Sequence, residues 1–199
     1  MSNFFRHWGL VNRHRFRVFR NGCKCGIGWH CLFHDLSKYT PKEFFTSVRY
    51  YVGTHSPVLE ERLSNGYFSV ICQTHARKNK HHWEYWTDYF LGRIIAKVMP
   101  WKYATEYVCD MLAASYCYDP KTFSGQKTYE YFMARCDHYY LADASKEYIQ
   151  WCLKRYADLG FAGLKKKDTK AKYEEICKKH PNTRIYDSLA LAGALPELR

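Results

Sequence analysis

Apolar and polar positions along this chain alternate mostly with a helical period. Over residues 3–21, His7, Leu10, Val11, His14 and Val18 recur at i, i+3, i+4, i+7 spacing and predict one inward stripe, with the arginines mostly around it. Asn21-Gly22 reads as the stop of that helix. A second helix is expected over 27–37, carrying His34 and Asp35. Thr40-Pro41-Lys42-Glu43 reads as a capping box with proline at the first helical position, opening a third helix to about Tyr51 that Gly53 ends. Ser56-Pro57 is a start of the same kind, and Asn65-Gly66 marks a break.

Further on, Phe68, Ile71, Cys72 and His75 fall on one helical face. Residues 76–82 are polar enough to predict a loop or helix end, and Trp83 to Ile95 resumes a helical pattern. Met99-Pro100 opens the next helix, on which Tyr103, Tyr107, Asp110, Met111 and Ala114 share a face. An acid on an otherwise apolar stripe is informative, because a carboxylate is costly to bury without a partner. Helices are also expected over 127–140 and 143–158, with Leu159-Gly160 as a stop. No strand alternation or hairpin signal stands out. The expected fold is all-α.

Composition shifts after residue 160. Residues 1–160 read as one helical domain and 161–199 as a basic, lysine-rich C-terminal appendage, either packed on the domain or free of it. The stretch Ser188 to Leu195 is small and apolar. At 199 residues and 47% hydrophobic, the chain is long enough for an independent core. Aromatics reach 18%, which suggests a core and cleft built from large rings.

The net charge of +12 and pI near 9.2 suggest an anionic partner. The first 34 residues hold Arg6, Arg13, Arg15, Arg17, Arg20 and Lys24 and no acid before Asp35. This is either a solvated basic face or a funnel towards phosphate. Nine cysteines with no signal-peptide pattern ahead of them predict thiols in a reducing compartment. No apolar run is long enough to span a membrane. Cys23, Cys25 and Cys31 with His30 lack standard zinc spacing and read better as core and loop residues.

Four side chains carry the candidate chemistry: His14, His34, Asp35 and Asp110. Imidazole and carboxylate together suit Mn, Fe, Co, Ni or Zn, with Mg also considered. On a helix, residues 34 and 35 point about 100° apart, so both reach one ion only in a groove beside that helix. His14 and Asp110 would close the coordination from other helices.

The order His14, His34-Asp35, Asp110 resembles the H…HD…D signature of the HD-domain superfamily of metal-dependent phosphohydrolases, which is all-helical and holds its metal with those four positions. The run His34-Asp35-Leu36-Ser37-Lys38 is similar to the His-Asp-x-Gly-Lys of the HD-GYP branch, in which the lysine faces substrate phosphate. The fuller pattern looks closer to an uncharacterised HD-like family of phages and bacteria. Its hallmarks correspond here to His34 through Lys38, Glu43-Phe44, His75, and Asn79-Lys80-His81-His82-Trp83. The resemblance covers roughly residues 10–115 and implies an HD-like helical bundle.

The resemblance also implies function. His75, His81 and His82 would bind a second ion, as extra histidines do in two-metal HD branches; the plainer reading makes His81-His82 a surface pair and His75 a core histidine. Asp35, Lys38 and His82 would carry catalysis, with Lys38 on substrate phosphate unless it is an ordinary solvated lysine. Arg13, Arg17, Arg77, Lys78 and Lys80 are further phosphate candidates. Lys38 stands where the nucleotidase branch has an acid, and the GYP triplet is absent, so no cyclic-dinucleotide substrate is expected.

The expected activity is hydrolysis of a nucleotide or related phosphate ester, with one or two divalent ions, in the cytoplasm (the host's, if phage-encoded). A homo-oligomer is compatible with the sequence. Two alternatives stay open: an HD-like di-iron oxygenase, and a non-enzymatic nucleic-acid binder using the basic surface and aromatics.

Overall fold

The computed structural model describes residues 2–187. Nine α-helices and a three-stranded sheet are seen among them: α1 (Asn3–Lys24), α2 (Gly28–Cys31), α3 (Pro41–Arg49), α4 (Pro57–Ser64), α5 (Val70–Lys78), β1 (Thr87–Phe90), β2 (Arg93–Lys97), α6 (Trp101–Tyr118), α7 (Gly125–Met133), α8 (Asp143–Leu159), α9 (Lys166–Lys179) and β3 (Thr183–Asp187). The protein is mostly helical with a small antiparallel sheet in the order β1-β2-β3. No helix among the described residues is long and apolar enough to cross a membrane.

Helix α6 is the axis. It is buried almost all round, from Trp101, Ala104 and Thr105 to Leu112 and Ala113, as expected of a helix with elements packed on several sides. Helix α1 packs on it through the expected stripe: His7, Leu10, Val11, His14 and Val18 are all buried. Helix α8 packs elsewhere on α6, bringing Tyr148, Ile149, Cys152 and Leu153 into a core that also holds Phe132 of α7. Helices α3, α4 and α5 form a smaller group beside α1. There the buried Glu61 of α4 accepts from the Ile71 backbone N–H at 3.1 Å and from the Ser69 hydroxyl, which pins the start of α5.

Several elements depart from the sequence reading. Helix α1 runs past Asn21-Gly22 to Lys24, because the turn that ends it uses Gly26 at φ 73°. Gly22 is kept small for packing: a Cβ there would lie 2.5 Å from Cys31 Sγ. The helix expected over 27–37 is the single turn α2, followed by a 3₁₀ turn over Leu36–Tyr39. Between them Asp35 adopts the left-handed conformation, φ 55°. A short polar side chain tolerates that region better than most. Ile27 and Cys31 of this run join the core, but Trp29, Leu32, Phe33 and Leu36 face solvent, so apolar spacing here does not mark one continuous helix.

Thr40 does not cap α3 with its side chain; its hydroxyl donates to the Ser37 carbonyl, and Glu43 is used elsewhere. Residues 83–95 are not α-helical. After a 3₁₀ turn over Trp83–Trp86 they form a hairpin in which Phe90 pairs with Arg93 across Leu91-Gly92. Both turn residues have positive φ, 48° and 76°, as a two-residue hairpin turn of the I′ kind requires. Leucine at the first of these positions hides the usual Asn-Gly or Asp-Gly signal. The helix expected over 127–140 ends at Met133.

Beyond residue 160, Leu164 and Ile176 join the main core, and β3 pairs with β2. The lysine-rich segment is therefore packed on the domain through Asp187; the apolar Ser188–Leu195 stretch lies outside the described residues.

Candidate metal centre

Asp35 lies at the centre of a convergence of five elements. Helix α1 contributes His14, the turn after α2 contributes His34 and Asp35, α5 contributes His75, the loop after α5 contributes His81 and His82, and α6 contributes Asp110. The left-handed backbone at Asp35 breaks the helical 34–35 relationship and sets the carboxylate between two groups of histidines.

Around Asp35 Oδ2 stand His34 Nε2 at 3.1 Å and His14 Nε2 at 3.7 Å. His14 Nε2 is 3.0 Å from Asp110 Oδ1 and 3.3 Å from His34 Nε2. Asp35 Oδ1 faces His75 Nε2 at 3.1 Å and His81 Nε2 at 3.5 Å. Three sets of donors among the described residues could hold a metal ion: His14, His34 and Asp110; Asp35, His75, His81 and His82; and His34, His81 and Glu106. Within each set the ligand atoms lie within 4.8 Å of one another. Donors about 2.1 Å from a common ion stand roughly 3.0–3.4 Å apart, which is the spacing found between several of these atoms.

Hydrogen bonding alone leaves this arrangement poorly satisfied. His81 Nε2 is buried with no hydrogen-bond partner, and the buried Asp35 carboxylate has only the Lys38 ammonium and the surrounding imidazoles against its oxygens. His34 Nδ1 stands 2.9 Å from Glu106 Oε1, while its Nε2 faces His14 Nε2 at 3.3 Å. Buried polar groups are ordinarily paired, and buried acids most of all. A cation shared among these atoms satisfies them all, and the donor chemistry fits a divalent first-row ion.

The supporting residues are those that orient metal-binding histidines elsewhere in protein chemistry. Glu106 holds His34 through Oε1 and receives His30 Nε2 on Oε2 at 2.8 Å. His75 Nδ1 is 2.6 Å from Glu43 Oε1 and 3.2 Å from Ser37 Oγ, and Asn79 donates to that hydroxyl at 2.9 Å. Arg15 grips the 32–34 turn, donating to the carbonyls of His34 at 2.7 Å and Leu32 at 3.1 Å. These bonds hold the Asp35 backbone in place.

The electrostatics follow from this packing. Burial opposes ionisation of Asp35, but His34, Lys38 and His75 outweigh it and hold the carboxyl well below its ordinary value. Asp110 is depressed likewise: its hydrogen bonds to His14 and His34 overcome burial. Burial also opposes charge on His75, yet Asp35 and Glu43 push it up to about 9; His34 is raised too, by Asp35, Asp110 and Glu106 against burial. The other imidazoles go the opposite way. Burial and the neighbouring His75 lower His82 to about 3, burial with His34 and His82 lowers His81, and burial lowers His14.

Lys38 places Nζ 2.5 Å from Asp35 Oδ2, and its pKa is raised by Asp35 and Asp110 against the cost of burial. The members of the cluster with exposed side-chain surface are Lys38 at 31%, His82 at 24% and Asp110 at 18%, so the centre opens to solvent on their side.

The structure thus brings together His14, His34, Asp35, Asp110, His75, His81, His82 and Lys38. His81 is buried rather than part of a surface loop pair. It does not draw the five peripheral cations into the cluster. Arg13 is exposed, Arg17 lies over the Tyr116 ring at 3.1 Å, Arg77 and Lys78 are exposed on α5, and Lys80 sits 5.6 Å from the Tyr85 ring. Sequence reasoning missed Glu106 and Arg15, and gave Glu43 no role at the site. Glu106 had a legible signal: it lies one helical turn before Asp110 on the same helix.

Fold and site together define a mostly helical protein with buried His/Asp/Glu clusters able to hold a metal ion. The chain belongs to a family of unknown function, DUF5662, whose model matches residues 3–155. No curated protein and no solved structure matches it.

Proposed function

We propose that this protein is a metal-dependent phosphohydrolase acting on a nucleotide or a related phosphate ester, with an HD-like arrangement of its site. One observation carries the reading: the Asp35 carboxylate stands between two sets of imidazoles, one oxygen towards each. His14, His34, Asp35 and Asp110 would hold one ion; Asp35, His75, His81 and His82 a second. A divalent ion held there supplies a hydrolytic nucleophile at neutral pH and charge to stabilise the transition state.

The chain's own groups complete the site. Lys38 is the cation at the solvent-open side, placed to bind non-bridging phosphate oxygens and to stabilise charge developing on them. His82, kept neutral at pH 7 by burial and the neighbouring His75 and partly exposed, is placed to offer a ring nitrogen to the second ion on the solvent-open side. Glu106, Glu43 and Arg15 keep the donors aimed. The basic surface draws anionic substrate inwards. Nine free thiols fit a reducing cytoplasm.

The test is phosphate release from a nucleotide panel by wild type and Asp35→Ala. Wild-type turnover, with a loss in the variant on the order of 10³-fold or more, is the expected result. Equal rates in both proteins would refute the reading. The histidine-rich donor set also suits a di-iron oxygenase; oxygen consumption by the iron-loaded protein, without phosphate release, would favour that reading instead.

A further inference from the structure

A cleft opens beside His30, whose Nε2 is 2.8 Å from Glu106 Oε2. It has a volume of about 410 Å³ and is lined by Trp29, His30, Trp101, Lys102, Lys166 and Lys170, among others. Small-molecule sites run from ~300 to 1,000 Å³, so one planar ligand with a phosphate fits. Trp29 stands 84% exposed at its rim. Trp101 is buried, and its indole N–H has no hydrogen-bond partner among the described residues. Lys102 lies in the first turn of α6, while Lys166 and Lys170 are one turn apart on α9. The turn at Gly26 is pressed against Lys166, where a Cβ would lie 2.7 Å from the lysine's own Cβ, so the tryptophan-bearing turn and α9 are held side by side.

We infer that this cleft binds a nucleotide unit, its base stacked on Trp29 and its phosphate held by Lys102, Lys166 and Lys170. The chemistry is specific in kind. No acid lines the cleft; the nearest carboxylate to a lining lysine is Glu174, whose oxygen stands 3.9 Å from Lys170 Nζ. Three ammonium groups beside an exposed indole are the combination that holds phosphate and a π-face together. The wall residue His30 bonds to Glu106, whose other oxygen orients His34. The cleft and the metal cluster therefore share one carboxylate, Glu106. The inference stands on the cleft's own geometry and not on the hydrolase reading. The nucleotide can be free or part of a single strand.

The test uses the full chain and a fluorescent 2-aminopurine base, supplied as the free monophosphate and within a short single strand. Binding should quench the base by stacking. Trp29→Ala, and separately the Lys102→Ala/Lys166→Ala pair, should weaken binding by about tenfold or more, while quenching persists in Asp35→Ala. All three sites of substitution besides Asp35 are exposed, so these variants fold. Equal affinity for both probes identifies the free nucleotide as the source; clearly tighter strand binding identifies single-stranded nucleic acid. Absence of quenching with either probe overturns the proposal. So does binding that survives Trp29→Ala, or binding lost in Asp35→Ala, which would move the ligand to the metal cluster.

Discussion

Two sides of α6 are built on opposite principles. Towards α8 the packing is apolar and closed: Val108, Cys109 and Leu112 share a core with Tyr148, Ile149 and Leu153, and the polar atoms are paired, as in the 2.7 Å bond between Thr105 Oγ1 and the Tyr148 hydroxyl. Towards α1 and the 34–38 turn the same helix presents Glu106 and Asp110 to a cluster of imidazoles. There a carboxylate is buried on a left-handed backbone among four imidazoles and the Lys38 ammonium. Buried charge is rarely a route to stability, since apolar replacements are often neutral or better. The difference teaches that the first side holds the helix in place and the second uses that rigidity to hold donors at ligand spacing.

The contrast can be broken from either side. On the apolar side, Leu153→Ala should cost about 2–5 kcal/mol of unfolding free energy through transfer and cavity terms. Metal content per folded chain should not change. Urea denaturation with elemental analysis checks both, and loss of metal there would show that the two sides are not separable.

On the polar side, pH should act on the metal-free protein. His75, and His34 with it, have folded-state pKa values raised above the ordinary 6.5. A raised value stabilises the fold fully below pH 6.5, and that contribution disappears as pH climbs through about 9. The chelator-treated protein should lose roughly 2–3 kcal/mol between those limits. The lowered histidines act below pH 6.5, outside this window. Chemical denaturation across the range checks the sign; a metal-free protein that grows more stable over it would contradict the assignment. A smaller effect is expected of Glu106→Gln, which keeps the shape but weakens the hold on His34. Metal affinity should fall by about 10–100-fold, measured by competition with a chelator, with the apolar side undisturbed.

The sequence made part of this legible for physical reasons. Helix α1 was readable because its stripe faces a core along its length, so 3.6-residue periodicity and burial coincide. The convergence of His14, His34, Asp35 and Asp110 was readable because acids and histidines on buried faces need a common reason to be there. The 32–38 turn was not readable: its apolar residues mimic a helix while facing solvent, and Asp35 owes its backbone to Arg15 and to tertiary contacts. The hairpin was concealed by leucine at a turn position usually held by asparagine, aspartate or glycine. Glu43 gave the signal of a cap and is instead a partner of His75, a choice that only α5 packing against α3 can make.

Ion stoichiometry tests the central claim most directly. Metal-stripped protein is dialysed to equilibrium against Mn²⁺, and bound ion is counted in wild type, Asp110→Ala, His82→Ala and Asp35→Ala. A bridging Asp35 predicts two ions in wild type, one in each of the first two variants, and none in Asp35→Ala. Wild-type stoichiometry retained in Asp35→Ala would contradict it.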